Sequence, residues 1–387
     1  MSFTIVVDEN IPFARETFGR LGSLTLLPGR AIGPAEVRHA DALLVRSVTR
    51  VGRALLDGSR VKFVGTATIG VDHVDTDYLS NQRIAFASAP GSNANSVAEY
   101  VIAALLLMAA EQGSRLEGAV IGVVGVGNVG SRVVAKAQAL GMKCVLNDPP
   151  KQRATGDPKY LPLPQVLAEA DYVTVHVPLE HEGPDATVGM CRNAFFAGMK
   201  PGACFINTSR GKVVDEVSLV QALDSGRIRF AVLDVWQNEP QIDPRTVAHT
   251  FLGTPHIAGY SFDGKVTATA MLYVDLCRYL GKQPELGLPD LLPPSHVPCL
   301  EVSACDSRGD EEVLRALIPS LYDIRKDDEA LRRAVSAGEK RGIEFDLLRK
   351  NYPIRREFFN TTLVVPAERQ SLAAKGQGLG FRVVARG

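Results

Sequence analysis

Residues 118–148 read "GAVIGVVGVGNVGSRVVAKAQALGMKCVLND", and this stretch limits the fold more sharply than the rest of the chain. An apolar run of strand length meets a glycine turn, a helix-length segment follows, Gly141 stops it, and a second apolar run ends on Asp148. Gly125, Gly127 and Gly130 form G-x-G-x-x-G between strand and helix. In such a turn the first glycine permits the tight bend, the second lets backbone approach a pyrophosphate, and the third lets helix and strand pack closely. The helix N-terminus, here at Asn128 and Val129, presents unpaired N–H groups to phosphates. Asp148 stands at the distance from which an acid reaches ribose hydroxyls. A 2′-phosphate beside it meets like charge, so the dinucleotide expected is NAD.

The flanking sequence continues the alternation of strand and helix. Before it, "FTIVVD" (3–8), "DALLVRS" (41–47), "VKFVGTAT" (61–68) and "IAFASA" (84–89) read as strands spaced by helical segments, the pattern of a parallel α/β sheet. After it come "DYVTVHVP" (171–178), "ACFINTS" (203–209), "RFAVLDV" (229–235) and "HTFLGTPHI" (249–257). Two long helices bracket this unit, at 93–112 and 261–281, and are expected to carry the chain between two lobes. The first offers Asn or Ser as N-cap, with Glu99 three residues after Ser96 as a capping box. A proline-rich stretch, 281–298, reads as an extended linker. Beyond it "CLEVSA", "TTLVVPA" and "FRVVAR" read as strands and "EEVLRALIPSLY" as an amphipathic helix.

Composition excludes several classes. A chain of 387 residues with 45% hydrophobic content has room for two or three domains. Lys+Arg and Asp+Glu are both 43, which gives no electrostatic footprint for nucleic acid or an anionic membrane. The longest apolar stretch, "VIAALLLMAA" (101–110), is about half of what a bilayer demands and reads as a buried helix. "MSFTIVVDEN" lacks the regions of a signal peptide. Six scattered cysteines without C-x-x-C point to core thiols in a reducing compartment, with neither disulfides nor a metal site. A cytoplasmic location is the expectation.

Three residues at strand ends carry candidate chemistry. Arg210 in "NTSRGKVVDE" (207–216) is a cation in a tight turn, suited to a bidentate carboxylate. Glu239 in "LDVWQNEP" (233–240) and His256 in "TPHIAGYS" (254–261) form a carboxylate and imidazole pair, in which the acid orients the ring and favours its charged form. Asp215 or Glu216 is expected to serve the next helix's first turn.

"VGVGNVG" and these three motifs resemble the signatures of the NAD-dependent D-isomer-specific 2-hydroxy acid dehydrogenases. The resemblance implies substrate-binding, pKa-setting and acid/base roles for Arg210, Glu239 and His256. It extends over essentially the whole chain through "VDENIPFARETFGRLG", "LLVRSVTRV", "KFVGTATIGVDHVD", "HIAGYSFDGK" and "LRKNYPIRREF", which are similar to a branch acting on a small phosphorylated hydroxy acid. By that similarity Ser47, Thr68 and Tyr260 touch substrate, and Val177, Ser209, Asp234 and Gly259 join Asp148 and the glycine turn at the cofactor. Val177 departs from the family, whose members often carry threonine there and gain a side-chain hydrogen bond. Arg46 is the expected source of charge near the substrate phosphate, with Arg349, Arg355 and Arg356 as alternatives reaching across a dimer.

The implied architecture is a Rossmann-type doubly wound parallel sheet (98–264) inserted in a second, flavodoxin-like α/β lobe (1–97 with 265–285), followed by a C-terminal α/β dimerisation domain (286–387). The lobes are expected to close over substrate, and the chain to form a homodimer. Rival readings are a dehydrogenase of another hydroxy acid, a non-enzymatic NAD sensor, and an effector-binding role for the C-terminal segment.

Overall fold

A computed structural model describes residues 3–386. It divides into two compact units, Met1–Asn93 with Ser261–Pro294, and Ala94–Tyr260 with Ser295–Gly387. The divisions fall at the starts of the two long helices, Ala94–Gln112 and Phe262–Tyr279.

In the first unit, β1 (Thr4–Asp8), β2 (Ser23–Leu27), β3 (Ala42–Val45), β4 (Phe63–Thr66) and β5 (Ala85–Ser88) form a parallel sheet in the order β2-β1-β3-β4-β5. This is the flavodoxin-like doubly wound order. β3 and β4 are buried along their whole length, as strands covered on both faces are, and their sequences are correspondingly apolar. β2 was not expected from the sequence. It is a half-exposed edge strand in which "SLTLL" mixes polar and apolar positions, so it gives no continuous apolar run. The helix Phe262–Tyr279 is capped by Ser261, whose hydroxyl accepts from Gly264 N at 2.7 Å. Leu272, Tyr273 and Leu276 on this helix pack with Ile5, Val7, Phe18 and Phe63.

The second unit is built on β6 (Val120–Val124), β7 (Lys143–Asn147), β8 (Tyr172–Val175), β9 (Ala203–Asn207), β10 (Ile228–Leu233) and β11 (Leu252–Gly253), ordered β11-β10-β9-β8-β6-β7 and all parallel. A single bridge, Leu146 to Tyr160, lies beyond β7 where the Rossmann order places a third strand. The order reverses between β7-β6 and β8, and the carboxyl ends on either side of that reversal are where this sheet type binds ligands.

The helix Ala94–Gln112 is buried nearly all round, which explains why it is apolar without a polar face. It passes for a membrane span by length and composition, yet most of it is buried inside the fold. Ser96 is not the N-cap of this helix, which begins at Ala94. Ser96 lies in the first turn and its hydroxyl donates to Glu357 at 2.6 Å, while Glu99 accepts from Asn95 Nδ2 and Phe358 N, each at 2.9 Å. Residues that would have closed the helix end locally are instead bound to a segment some 260 positions away.

That segment carries β12 (Cys299–Glu301), β13 (Thr362–Pro366) and β14 (Arg382–Arg386), a small parallel sheet. Its apolar residues Leu314, Phe358, Leu363 and Leu372 share one core with Ile102, Leu105 and Val133 of the nucleotide-binding half.

Candidate active site

The glycine turn is fixed by close contacts. A Cβ at Gly130 would lie 2.1 Å from the Gly125 carbonyl oxygen, so only glycine lets the helix Asn128–Ala139 approach β6 this closely. At Gly127 nothing lies within 4 Å of the same position, which leaves open space in front of the helix N-terminus. Such a cradle admits a pyrophosphate against the N–H groups of Asn128 and Val129. Asp148 bends back toward the turn: one carboxylate oxygen accepts from Val126 N at 2.9 Å and the other from Lys151 N at 3.0 Å. The acid is therefore held beside the cradle, with lone pairs left for ribose hydroxyls. Val177 lies against Gly125 on the other side. These residues fit a bound dinucleotide.

Next along the sheet, β9 ends at Asn207, which organises the turn carrying Arg210. Its Oδ1 accepts from Ser209 N and Ser209 Oγ, and its Nδ2 donates to the Arg210 carbonyl at 3.1 Å. Ser209 is buried, and its carbonyl accepts from Arg210 Nη1 at 2.9 Å. Gly211 then passes so near the following loop that a Cβ would sit 1.8 Å from the Trp236 carbonyl oxygen. Asp215 caps the next helix through Ser218 N at 2.8 Å. Glu216 turns elsewhere: it accepts from Gln237 N at 2.6 Å and Thr246 Oγ1 at 3.0 Å, bracing the loop before Glu239.

The third element is the loop after β11. His256 Nδ1 and Glu239 Oε2 are 2.7 Å apart, and Glu239 Oε1 accepts from Trp236 N at 2.9 Å. Burial alone would raise the Glu239 pKa, but the His256 charge and hydrogen bonds outweigh it and hold the carboxyl below its usual range. The ionised acid fixes the proton on Nδ1, which turns Nε2 toward chemistry. His256 has φ 56, a left-handed conformation rare for histidine. Asp234 imposes it. Its carboxylate accepts from Thr254 Oγ1 at 2.6 Å, Ile257 N at 2.7 Å and Ala258 N at 3.0 Å, while its carbonyl accepts from His256 N at 2.7 Å. Asp234 is 1% exposed, and burial holds its pKa above the usual range against the pull of His256 and these hydrogen bonds.

His176, at the end of β8, is a second imidazole on this sheet, hydrogen-bonded to Thr174 and Thr208. Burial pushes its pKa down to about 3, so it stays neutral across the working range. Gly259 occupies the turn between Ala258 and Tyr260. In the first unit, Ser47 and Thr68 follow the adjacent strands β3 and β4, Ser47 exposed and Thr68 bonded to Thr66 Oγ1 at 2.7 Å.

Erythronate-4-phosphate dehydrogenase of Salinibacter ruber is 46% identical over 97% of this chain and 98% of its own length. The enzyme of that name from Cronobacter sakazakii is 43% identical, with 97% of each chain covered. The chain belongs to the erythronate-4-phosphate dehydrogenase family. Residues 98–258 match the D-isomer specific 2-hydroxyacid dehydrogenase NAD binding domain, and residues 291–380 match a domain of unknown function. It is an NAD-dependent 2-hydroxyacid dehydrogenase. Among solved structures, the TT0316 protein of Thermus thermophilus is 26% identical, with TM-score 0.59, and covers 73% of this chain and 98% of its own. D-lactate dehydrogenase from Aquifex aeolicus, complexed with NAD and lactic acid, has TM-score 0.58 at 24% identity, covers 72% and 95%, and shares the fold.

The sequence pairs Glu239 with His256, and the two side chains are hydrogen-bonded; Asp234, expected at the cofactor, also accepts from His256 N. Sequence reasoning missed the bracing residues Glu216, Thr254 and Trp236, whose indole donates to the Thr254 carbonyl at 2.9 Å. No spacing rule announces them, because each acts across the sheet. Of the tail arginines, Arg355 is spent on backbone carbonyls and Arg356 Nη2 donates to Asn360 Oδ1 at 2.7 Å.

Proposed function

We propose that the protein oxidises 4-phospho-D-erythronate to 2-oxo-3-hydroxy-4-phosphobutanoate, a step in pyridoxal phosphate biosynthesis. The observation that carries this reading is the His256–Glu239 pair, set 2.7 Å apart at the end of a dinucleotide-binding sheet. The relatives' name supplies the substrate.

Bound NAD supplies the hydride acceptor. Arg210 holds the substrate carboxylate, its guanidinium fork matching both oxygens. His256 Nε2 accepts the C2 hydroxyl proton, and Glu239 stabilises the imidazolium that forms. Ser47, Thr68 and Tyr260 contact substrate, while Asp148, Val177, Ser209, Asp234 and Gly259 line the cofactor with the glycine turn. For the substrate phosphate we favour Arg46. Lys265 lies near it, its pKa held below the usual range first by burial and then by the Arg46 charge, a repulsion that an anion relieves.

We also assign the C-terminal segment to dimerisation. Ile343, Leu347 and Ile354 are exposed at 62%, 39% and 63%, and Ile343 and Leu347 share a helix face. A cytoplasmic location agrees with free thiols throughout the described residues.

The test is NADH formation followed by absorbance with 4-phospho-D-erythronate, 3-phosphoglycerate and D-lactate. The phosphorylated four-carbon acid should give a kcat/KM at least about tenfold above the others, the discrimination that contacts to one extra substrate group readily supply. Equal or better turnover of 3-phosphoglycerate would replace this substrate by that one.

A further inference from the structure

The segment described only as a domain of unknown function touches the histidine loop at two points. Arg355 is 4% exposed, donates to the Ala258 carbonyl at 3.1 Å and to the Ser96 carbonyl at 2.7 Å, and stacks 3.7 Å from the Tyr322 ring centroid. Arg349 Nη2 donates to the Tyr260 hydroxyl at 2.9 Å, and its guanidinium lies 5.6 Å from the centroid of that ring. Tyr352 meets the same ring edge-on at 5.9 Å. Ala258 and Tyr260 stand two and four residues beyond His256.

The two arginines are themselves anchored. Glu357 accepts from Ser96 Oγ and Asn95 Nδ2, each at 2.6 Å, and Phe358 N donates to Glu99 at 2.9 Å. The stretch 349–358 is thus fastened to the helix Ala94–Gln112 on one side and to the histidine loop on the other.

We propose that the C-terminal domain clamps the catalytic loop of its own chain, with Arg355 and Arg349 as positioning residues for His256 and Tyr260. The inference rests on the reading of His256 as proton acceptor and Tyr260 as substrate contact. Its physical basis is the left-handed backbone at His256. A non-glycine residue in that region persists only where its surroundings over-determine it. Asp234 fixes the loop from within the sheet, and Arg355 fixes it from the far side by joining Ala258 to Ser96. A buried guanidinium between carbonyls from two segments sets their separation to a fraction of an ångström, and proton transfer is sensitive on that scale. Arg349 acts one step further along: by donating to the Tyr260 oxygen it fixes the place of the phenol.

The two contacts predict different kinetic signatures. Arg355→Met should lower kcat by roughly ten- to a hundredfold while NADH affinity, read by fluorescence, stays within about twofold, because the glycine turn is untouched. A folded Arg355→Met with unchanged kcat overturns the clamp. Should that variant fail to fold, the decision passes to the less buried Arg349. Arg349→Met and Tyr260→Phe should each raise KM, and the double variant should be no worse than the poorer single one, since both remove the same hydrogen bond. Additive effects overturn the proposal. The cycle is run on whichever of the three acids the wild type oxidises, so failure with phosphoerythronate counts against the substrate and not the clamp. Without any turnover, the carbon NMR resonance of the Tyr260 phenol, assigned by its loss in Tyr260→Phe, must move in Arg349→Met. A resonance that stays in place overturns the assignment.

Discussion

The cofactor turn and the histidine loop are assembled in opposite ways. The turn is local: Gly125, Gly127, Gly130 and Asp148 lie within one strand–helix–strand unit, and their contacts close among themselves and with the neighbouring β8 end. The histidine loop is assembled from distant parts. Asp234, Glu239, Thr254 and Arg355 all hold it, and Trp236 and Glu216 hold the holders. A local device should break by a single local clash, whereas a distributed one should lose function by degrees.

Gly130→Val tests the local side and should have the largest effect. With a Cβ placed 2.1 Å from the Gly125 carbonyl oxygen, the helix must retreat from β6, and fluorescence titration should show no NADH binding. Near-normal affinity would mean that the turn does not hold the dinucleotide. Arg210→Ala tests the residue between the two regions. Its loss should lower kcat/KM by roughly 10²–10³, with both kcat and KM affected, because the guanidinium serves ground and transition states. A change in KM alone would reduce Arg210 to uniform binding.

The smallest effect concerns the distributed side and is read as stability. Burial of Glu99, outweighing the Lys136 attraction, raises its pKa to about 8. A carboxyl raised on folding keeps its proton in the native state while the unfolded chain loses it, so stability falls as pH rises from the usual carboxylate range through about 8. Glu99→Gln, which mimics the protonated acid, should match the wild-type Tm near pH 6 and exceed it near pH 9. An equal deficit at both values would show that Glu99 is ionised in the fold.

The same contrast explains what could be read from the sequence. The doubly wound sheets, the glycine turn and the strand-end positions of Arg210, Glu239 and His256 follow from period, glycine spacing and apolar runs. β2 escaped because edge strands lack a continuous apolar run, and β11 shrank to Leu252–Gly253 because the loop after it is taken up by Asp234. Ser96 and Glu99 carried the spacing of a capping box, but tertiary partners outbid the local motif. Arg355 in "NYPIRREF" reads as an alternative for the substrate phosphate, yet it is among the most enclosed charges in its unit. Its neighbours in space are hundreds of positions away in sequence, and no periodicity encodes them.

The separation of the two regions, and the acid/base role at its centre, can be read in one variant. For His256→Ala, NADH affinity by fluorescence and turnover by absorbance are measured on the same preparation. Affinity should stay within about twofold of wild type, and kcat should be lower by roughly 10²–10⁴, the range over which a positioned acid/base acts. Turnover within about tenfold of wild type would contradict it.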